Sequence, residues 1–421
     1  MTKVDAPCVI TSVYASSDIG NFRDNNEDNF IIADLVNGQG YSFPQSIRRN
    51  IKNNRLLMAV SDGIGGREGG EIASAIAVYG LRLELLRLAS NKAIYEVDWL
   101  VKALEHINKL IWRAGKENQQ LKGMGATITA ALISGSRAYI AEVGDSRAYL
   151  VRNNQIKQIT TDQSLFEILS SDMEIEHQPS ENTRSIILQS VGGQENLDVA
   201  VTILELCQDD FLLICSDGLS NNLSATEIEE TITKSPNLEQ AVTSMIELSK
   251  ERGGEDNITL ILAKFEGDAL PKSTDKSITS SLKVLTAFNP LSNNKGKQKR
   301  ITQQMVSELH EREEKVFRST LGVMSPTSYP ARSRALSESD KSIELLHNSA
   351  NQLVKVVEQI HVLEKWLEQQ GRLDPALQKA IVHLEHAIKN TQKIEIVARK
   401  ARNLIERLTA KNIYPKDNKN S

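Results

Sequence analysis

Residues 59–71 read AVSDGIGGREGGE, an apolar strand that runs into one acid, Asp62, and then into a cluster of glycines. A phosphate loop would need Lys and Ser or Thr after its last glycine, but Gly70 is followed by Glu71 and Ile72. A dinucleotide fingerprint would need a small residue at 68, where Glu68 stands. Both nucleotide readings fail at the residues that would carry their chemistry. What remains is an acid at a strand end, next to glycines that let the backbone turn sharply and a helix begin close by.

One Asp-Gly pair is ordinarily a turn former and nothing more. Here the arrangement recurs. Asp145 ends a strand in AEVGDSRAYL, Asp217 ends one in LLICSDGLS, Asp256 begins one in GGEDNITLIL, and Glu27-Asp28 form an acidic turn in GNFRDNNEDNF, four residues after Arg23. Five such turns within one region argue for carboxylates converging on one place. Carboxylates without His or Cys select hard, oxygen-preferring divalent ions such as Mg²⁺ or Mn²⁺. Of the seven histidines only His106 and His177 precede residue 300, which argues against a His-ligated zinc site there. No G-x-S-x-G elbow is present to support a serine hydrolase. An arginine beside such a cluster suits a phosphate clamp.

In this order the motifs SDIGNFRDNNEDNF, AVSDGIGGREGGEIAS, GMGATITAALI, AYIAEVGDSRAYL, ITTDQSL, LLICSDGL and GGEDNITLILAKF resemble the metal-dependent protein phosphatases, the PPM or type 2C family, and in particular its bacterial members. The resemblance covers about residues 10–266. It implies an α+β fold, a layered α-β-β-α sandwich of two antiparallel sheets flanked by helices. It also implies two divalent ions, Mn²⁺ or Mg²⁺, and a third, weaker one. Glu27, Asp62 and the carbonyl of Gly63 would hold the first ion, and Asp62, Asp217 and Asp256 the second. Asp145 would serve the third ion, Arg23 would grip the substrate phosphate, and Asp28, Thr127 and Asn257 would support the ligands. The implied reaction is hydrolysis of phosphoserine and phosphothreonine in proteins by a hydroxide bridging the two ions. The same apparatus could instead release AMP or phosphocholine from a modified protein.

Three positions depart from the family pattern. Ile64 stands where many eukaryotic members have histidine and bacterial ones often methionine. Gln163, in TTDQS, stands where histidine is usual. The polar stretch 164–184 falls where bacterial members carry a flap.

Periodicity gives a coarse map. Strands are expected at 56–61, 126–134, 137–143, 147–152, 211–216 and 257–265, and helices at 70–90 and 97–118. After 266 the composition turns polar and rich in Pro, Gly and Ser, so 267–342 reads as a linker with a short helix and a serine-rich piece. Residues 343–411 carry two apolar stripes at helical spacing, joined near Gly371 with Asp374-Pro375 as a helix start, which predicts an all-α helical hairpin. That hairpin would pack on its own chain, on a second copy or on a protein partner, and in the last case the chain would act mainly as a signalling module.

The formal charge of −4 excludes non-specific nucleic-acid binding, and no apolar run approaches the ~18 residues of a membrane span. Three cysteines without a C-x-x-C pair suit a reducing compartment. A cytoplasmic protein is expected, with delivery into a host cell by a specialised secretion system as the alternative.

Overall fold

The structure is a computed structural model that describes residues 8–288 apart from 43, 52–54, 66–68, 89–95 and 172–185. Most of the 164–184 stretch, most of the 267–342 linker and all of the 343–411 hairpin therefore lie outside the described residues.

In chain order the strands are β1 (Ile10–Asp18), β2 (Asn29–Asp34), β3 (Gly40–Tyr41), β4 (Gln45–Asn50), β5 (Arg55–Ser61), β6 (Gly63–Ile64), β7 (Gly125–Ala126) and β8 (Ile128–Ser134). They continue as β9 (Arg137–Val143), β10 (Arg147–Arg152), β11 (Gln155–Gln158), β12 (Ala200–Glu205), β13 (Phe211–Cys215), β14 (Ile258–Glu266) and β15 (Leu282–Thr286). The helices are α1 (Gly69–Leu88), α2 (Glu96–Glu117), α3 (Leu165–Ser171), α4 (Asp217–Ser220), α5 (Ala225–Lys234), α6 (Leu238–Glu251) and α7 (Ile278–Ser281). One sheet runs β11-β10-β13-β14-β1-β4 and the other β15-β12-β9-β8-β5-β2-β3, with antiparallel pairing throughout; β6 and β7 form a separate small ribbon.

The central strands bury both faces, which explains their nearly continuous apolar runs. On β13, Leu212 and Ile214 join Val13, Phe30, Met58, Val60, Ile140 and Phe265 in the core between the sheets. The alternate residues Leu213 and Cys215 face outward and meet Ile228, Ile232, Val242 and Met245 of α5 and α6. The period of two along a strand serves two cores at once. α1 and α2 pack on the second sheet, completing an α-β-β-α sandwich. α5 starts on a capping box between Ser224 and Glu227, and α6 on Asn237, so SATE and NLEQ were readable start signals.

The predicted boundary at 266 needs correction. β15 adds to the edge of the seven-stranded sheet beside β12, and α7 precedes it. Arg152, 1% exposed, donates to both carboxylate oxygens of Asp210, which is 0% exposed, and also to Ser281 Oγ and the carbonyls of Lys276, Ser277 and Glu205. A buried guanidinium must have its donors filled. Three of these acceptors come from beyond 266, so polar composition there marks a surface strand and not the end of the domain.

Candidate active site

The antiparallel register brings the acidic turns to one end of the sandwich. Asp18 at the end of β1 pairs with Ile258 at the start of β14. Cys215 at the end of β13 pairs with Arg147 at the start of β10, and Ser61 at the end of β5 with Asn29 at the start of β2. Asp256, Asp217, Asp145, Asp62 and Glu27-Asp28 each lie within two residues of one of these strand ends.

Asp62 leaves β5 tied to Thr127. Its N–H donates to Thr127 Oγ1 at 3.0 Å, and its carbonyl accepts from Thr127 N at 2.8 Å. Thr127 Oγ1 also meets Ser146 Oγ at 2.7 Å, next to Asp145. Gly63 is pressed between α1 and the preceding acidic turn: a Cβ there would stand 2.2 Å from the Gly70 carbonyl and 2.7 Å from that of Glu27. The Glu27 carboxylate lies over Gly70, where a Cβ would be 2.4 Å from Oε2. That puts an anion at the first turn of a long helix. The glycines of the opening stretch thus make room for main-chain and carboxylate oxygens.

Asn257 holds the other wall. Its side chain accepts from Glu27 N and donates to the carbonyls of Ile19 and Asn25. Asp28 accepts from Ser216 Oγ at 2.7 Å, and Asp217 from Asn221 at 3.0 Å. Arg23 donates to Asp256 at 2.8 Å. The guanidinium expected to grip phosphate is therefore paired with an acid of the cluster.

The acids feel one another strongly. Burial first, and then repulsion from Asp28, Asp217, Asp256 and Asp145, holds the Asp62 carboxyl well above the usual range. Burial pushes Asp28 and Glu27 up to about 7. Burial and then Asp217 raise Asp145 to about 8. Asp217 is raised by burial and then by repulsion from Asp256.

The fold thus brings together Arg23, Glu27, Asp28, Asp62, Gly63, Thr127, Asp145, Asp217, Asp256 and Asn257. Sequence reading missed four supporting residues. Glu71 accepts from Asn25 Nδ2 at 2.6 Å, and Asn26 donates to Ser17 at 2.9 Å while capping Asp28 N. Ser216 carries Asp28. Of these only Glu71 had a signal, as the acid that closes the glycine cluster.

Comparison with known proteins gives the family of the chain. The family described as Protein phosphatase 2C matches residues 46–263. A serine/threonine phosphatase, stp, of Listeria welshimeri is 33% identical over 264 residues, 62% of this chain and 98% of the relative. Protein phosphatase PhpP of Streptococcus pneumoniae is 32% identical over 60% of this chain and 97% of its own length. The crystal structure of the Mycobacterium tuberculosis serine/threonine phosphatase PstP/Ppp superposes with a TM-score of 0.50 at 30% identity, covering 61% of this chain and 99% of that one. The chain belongs to the protein phosphatase 2C family.

Membership implies divalent cations, and the residues fit them. Oδ1 of Asp28, Asp145 and Asp217 is buried and finds no hydrogen-bond partner among the described residues. Buried carboxylate oxygens left over in a cluster of like charge call for a cation. Among the described residues no three acidic, histidine or cysteine side chains are already closed around one point. Like charges outnumber the arginines near them, Arg23 beside Asp256 and Arg147 near Asp145 and Asp217, and so have reason to stand apart.

Ile64 pairs with Gly125 in the small ribbon and is half-buried. Its side chain has no proton to give a leaving group, so its contribution is packing. Ile64→Ala is expected to lower kcat/KM for a phosphopeptide less than tenfold, as measured by steady-state kinetics. A loss as deep as that expected of an acid in the cluster would overturn the packing role.

Proposed function

We propose that this chain is a metal-dependent serine/threonine protein phosphatase. The observation that carries the reading is the set of carboxylates around Asp62, with oxygens left unpartnered and with Arg23 beside them. Glu27, Asp62 and the carbonyl of Gly63 would hold one divalent ion, Asp62, Asp217 and Asp256 another, and Asp145 a third. When bound, Mn²⁺ or Mg²⁺ supplies neutralising charge and a water nucleophile active at neutral pH.

The chain's own residues do the rest. Asn257 and Asn25 hold the Glu27 turn, while Thr127 fixes the backbone of Asp62, so the main chain that carries these ligands is held in place and the carboxylates have only to close in on a cation. Ser216 Oγ donates to one oxygen of Asp28, and the other is buried without a hydrogen-bond partner among the described residues. Arg23 offers a fork of donors that can trade Asp256 for phosphoryl oxygens and offset their growing charge. Arg23→Ala is expected to lower kcat/KM for a phosphopeptide by about 10²-fold, with Arg23→Lys recovering only part because a point charge lacks the fork.

The test is hydrolysis of phosphoserine and phosphothreonine peptides with added Mn²⁺ or Mg²⁺ and its abolition by a chelator. Turnover of AMP-modified or phosphocholine-modified proteins alone would overturn the substrate class. The three cysteines are free, two of them buried, which suits a cytoplasmic place of work. Among the described residues no helix is long and apolar enough to cross a membrane. The helical pattern of 343–411 supports a docking element for a protein partner or a second copy.

A further inference from the structure

Gln163, the residue at the position where histidine is usual, is 2% exposed and sits against the turn that carries Asp145. Gly144 forms that turn with φ +100, and a Cβ there would lie 2.7 Å from the Thr127 side chain. Thr127 holds the turn on one side and Gln163 on the other. Gly144 N donates to Gln163 Oε1 at 3.0 Å, and Gln163 N donates to the Gly144 carbonyl at 2.9 Å. Gln163 Nε2 reaches the carbonyl of Glu142 at 3.3 Å.

A second buried amide completes the arrangement. Gln189, 3% exposed, donates to Gln163 Oε1 at 3.0 Å and to the Asp198 carbonyl at 2.7 Å. Its own oxygen accepts from Asp198 N at 2.7 Å and from Gln194 at 3.3 Å. All four hydrogen-bonding positions of Gln189 are filled, and both lone pairs of Gln163 Oε1 are used. Flipping Gln163 would set its NH₂ against two N–H donors, so the network fixes its orientation. Two residues on from Gln189, Val191 pairs with Ala126 through reciprocal bonds of 2.9 and 2.8 Å. Ala126 in turn pairs with Gly63. The path therefore runs from the Asp145 turn through buried Gln163, Gln189, Val191 and Ala126 to the Asp62-Gly63 turn, with half-buried Ser190 as its one link that is not buried.

We propose that Gln163, clamped by Gln189, is the positioning residue that sets the Asp145 turn relative to the Asp62-Gly63 turn. The inference rests on the phosphatase reading above. Neutral histidine also offers one donor and one acceptor, but its ring nitrogen accepts one hydrogen bond where the amide oxygen accepts two. Imidazole at this position can serve Gly144 or Gln189, not both. Glutamine therefore makes possible a link between the 186–191 segment and the Asp145 turn that histidine would have to give up.

The test uses full-length Gln163→Leu, Gln163→His and Gln189→Leu, with MnCl₂ titrated by calorimetry beside phosphopeptide kinetics. Gln163→Leu is expected to weaken the weakest Mn²⁺ binding step at least fivefold and to lower kcat at least tenfold, with KM changed less than twofold. Gln163→His is expected to recover kcat to within about threefold of the parent, because it keeps one acceptor and one donor. Gln189→Leu shifts the same two quantities in the same direction by less, and it serves as the test if Gln163→Leu does not fold. Adding Gln189→Leu to Gln163→His should cost nothing further in kcat. A parent with no weak Mn²⁺ step, a Gln163→Leu or Gln189→Leu protein that differs from the parent only in Tm, or full additivity of the pair each overturns the clamp. Absence of cation-dependent activity in the parent would instead overturn the phosphatase reading.

Discussion

Asp62→Asn should abolish hydrolysis of a phosphopeptide, lowering kcat/KM at least about a thousandfold, or about 4 kcal/mol of barrier. The same change should leave the cation-free protein as stable as the parent or more so. Asp62 is the acid that feels Asp28, Asp217, Asp256 and Asp145 together, and burial adds to their repulsion. Removing its charge relieves an unfavourable field, while the backbone contacts to Thr127 persist because they use Asp62 N and its carbonyl. A site kept for function at a cost to stability behaves in this way. Thermal unfolding with and without Mn²⁺ measures both halves: the parent's Tm should rise with the cation, and that rise should shrink in Asp62→Asn. Activity surviving the change would sink the role given to Asp62, and a large fall in cation-free Tm would show that the acid is structural.

The second large effect concerns stability and lies far from the acids. Arg152→Ala should destabilise the fold by about 3–5 kcal/mol, because it leaves Asp210 buried without its partner. In a domain of this size that is a fall in Tm of roughly 10 °C. Burial already holds the Asp210 carboxyl above the usual range even with Arg152 beside it, so the pair is costly to make and costlier to halve. Arg152→Met combined with Asp210→Asn should regain part of the loss, since the charge is gone and an amide oxygen can still accept from Cys207 N, as Asp210 Oδ2 does at 2.7 Å. Phosphopeptide hydrolysis at low temperature should stay near the parent's. If Arg152→Ala unfolds no earlier than the parent, then the 276–281 segment, which supplies three of the guanidinium's acceptors, is not integral to the domain.

Much of this fold was legible because the strands are buried on both faces. FLLIC is a continuous apolar run and ITLILAKF is broken only by Thr259 and Lys264, and their ends were placed within a residue or two. The interior strands β1, β2 and β12 escaped notice even so, and strands with a mixed face did too. β4 reads QSIRRN at a sheet edge and β15 reads LKVLT at another, and neither looks apolar enough in isolation. Edge strands face water on one side and carry charge for that reason, so composition points to a loop or linker. The same limit applied at the site. Acids at strand ends announce themselves by type and by neighbouring glycines, whereas Asn25, Ser216, Gln163 and Gln189 are ordinary polar residues until their partners are known.

From the chain alone came the kinds of group involved: five acidic turns, an arginine four residues before Glu27, and few histidines to compete with oxygen ligands. Their order and their glycines were enough to indicate hard-cation chemistry on a phosphate. Only the tertiary structure decided which groups meet. Antiparallel register is a long-range property, and it carries Glu27, Asp62, Asp145, Asp217 and Asp256, drawn from across some 230 residues, to one end of the two sheets. It also decided that Arg23 pairs with Asp256, that the sheet takes in β15, and that Gln163 closes a buried network. Hydrogen-bond partners remote in sequence leave no local pattern, because what selects them is the burial that folding imposes.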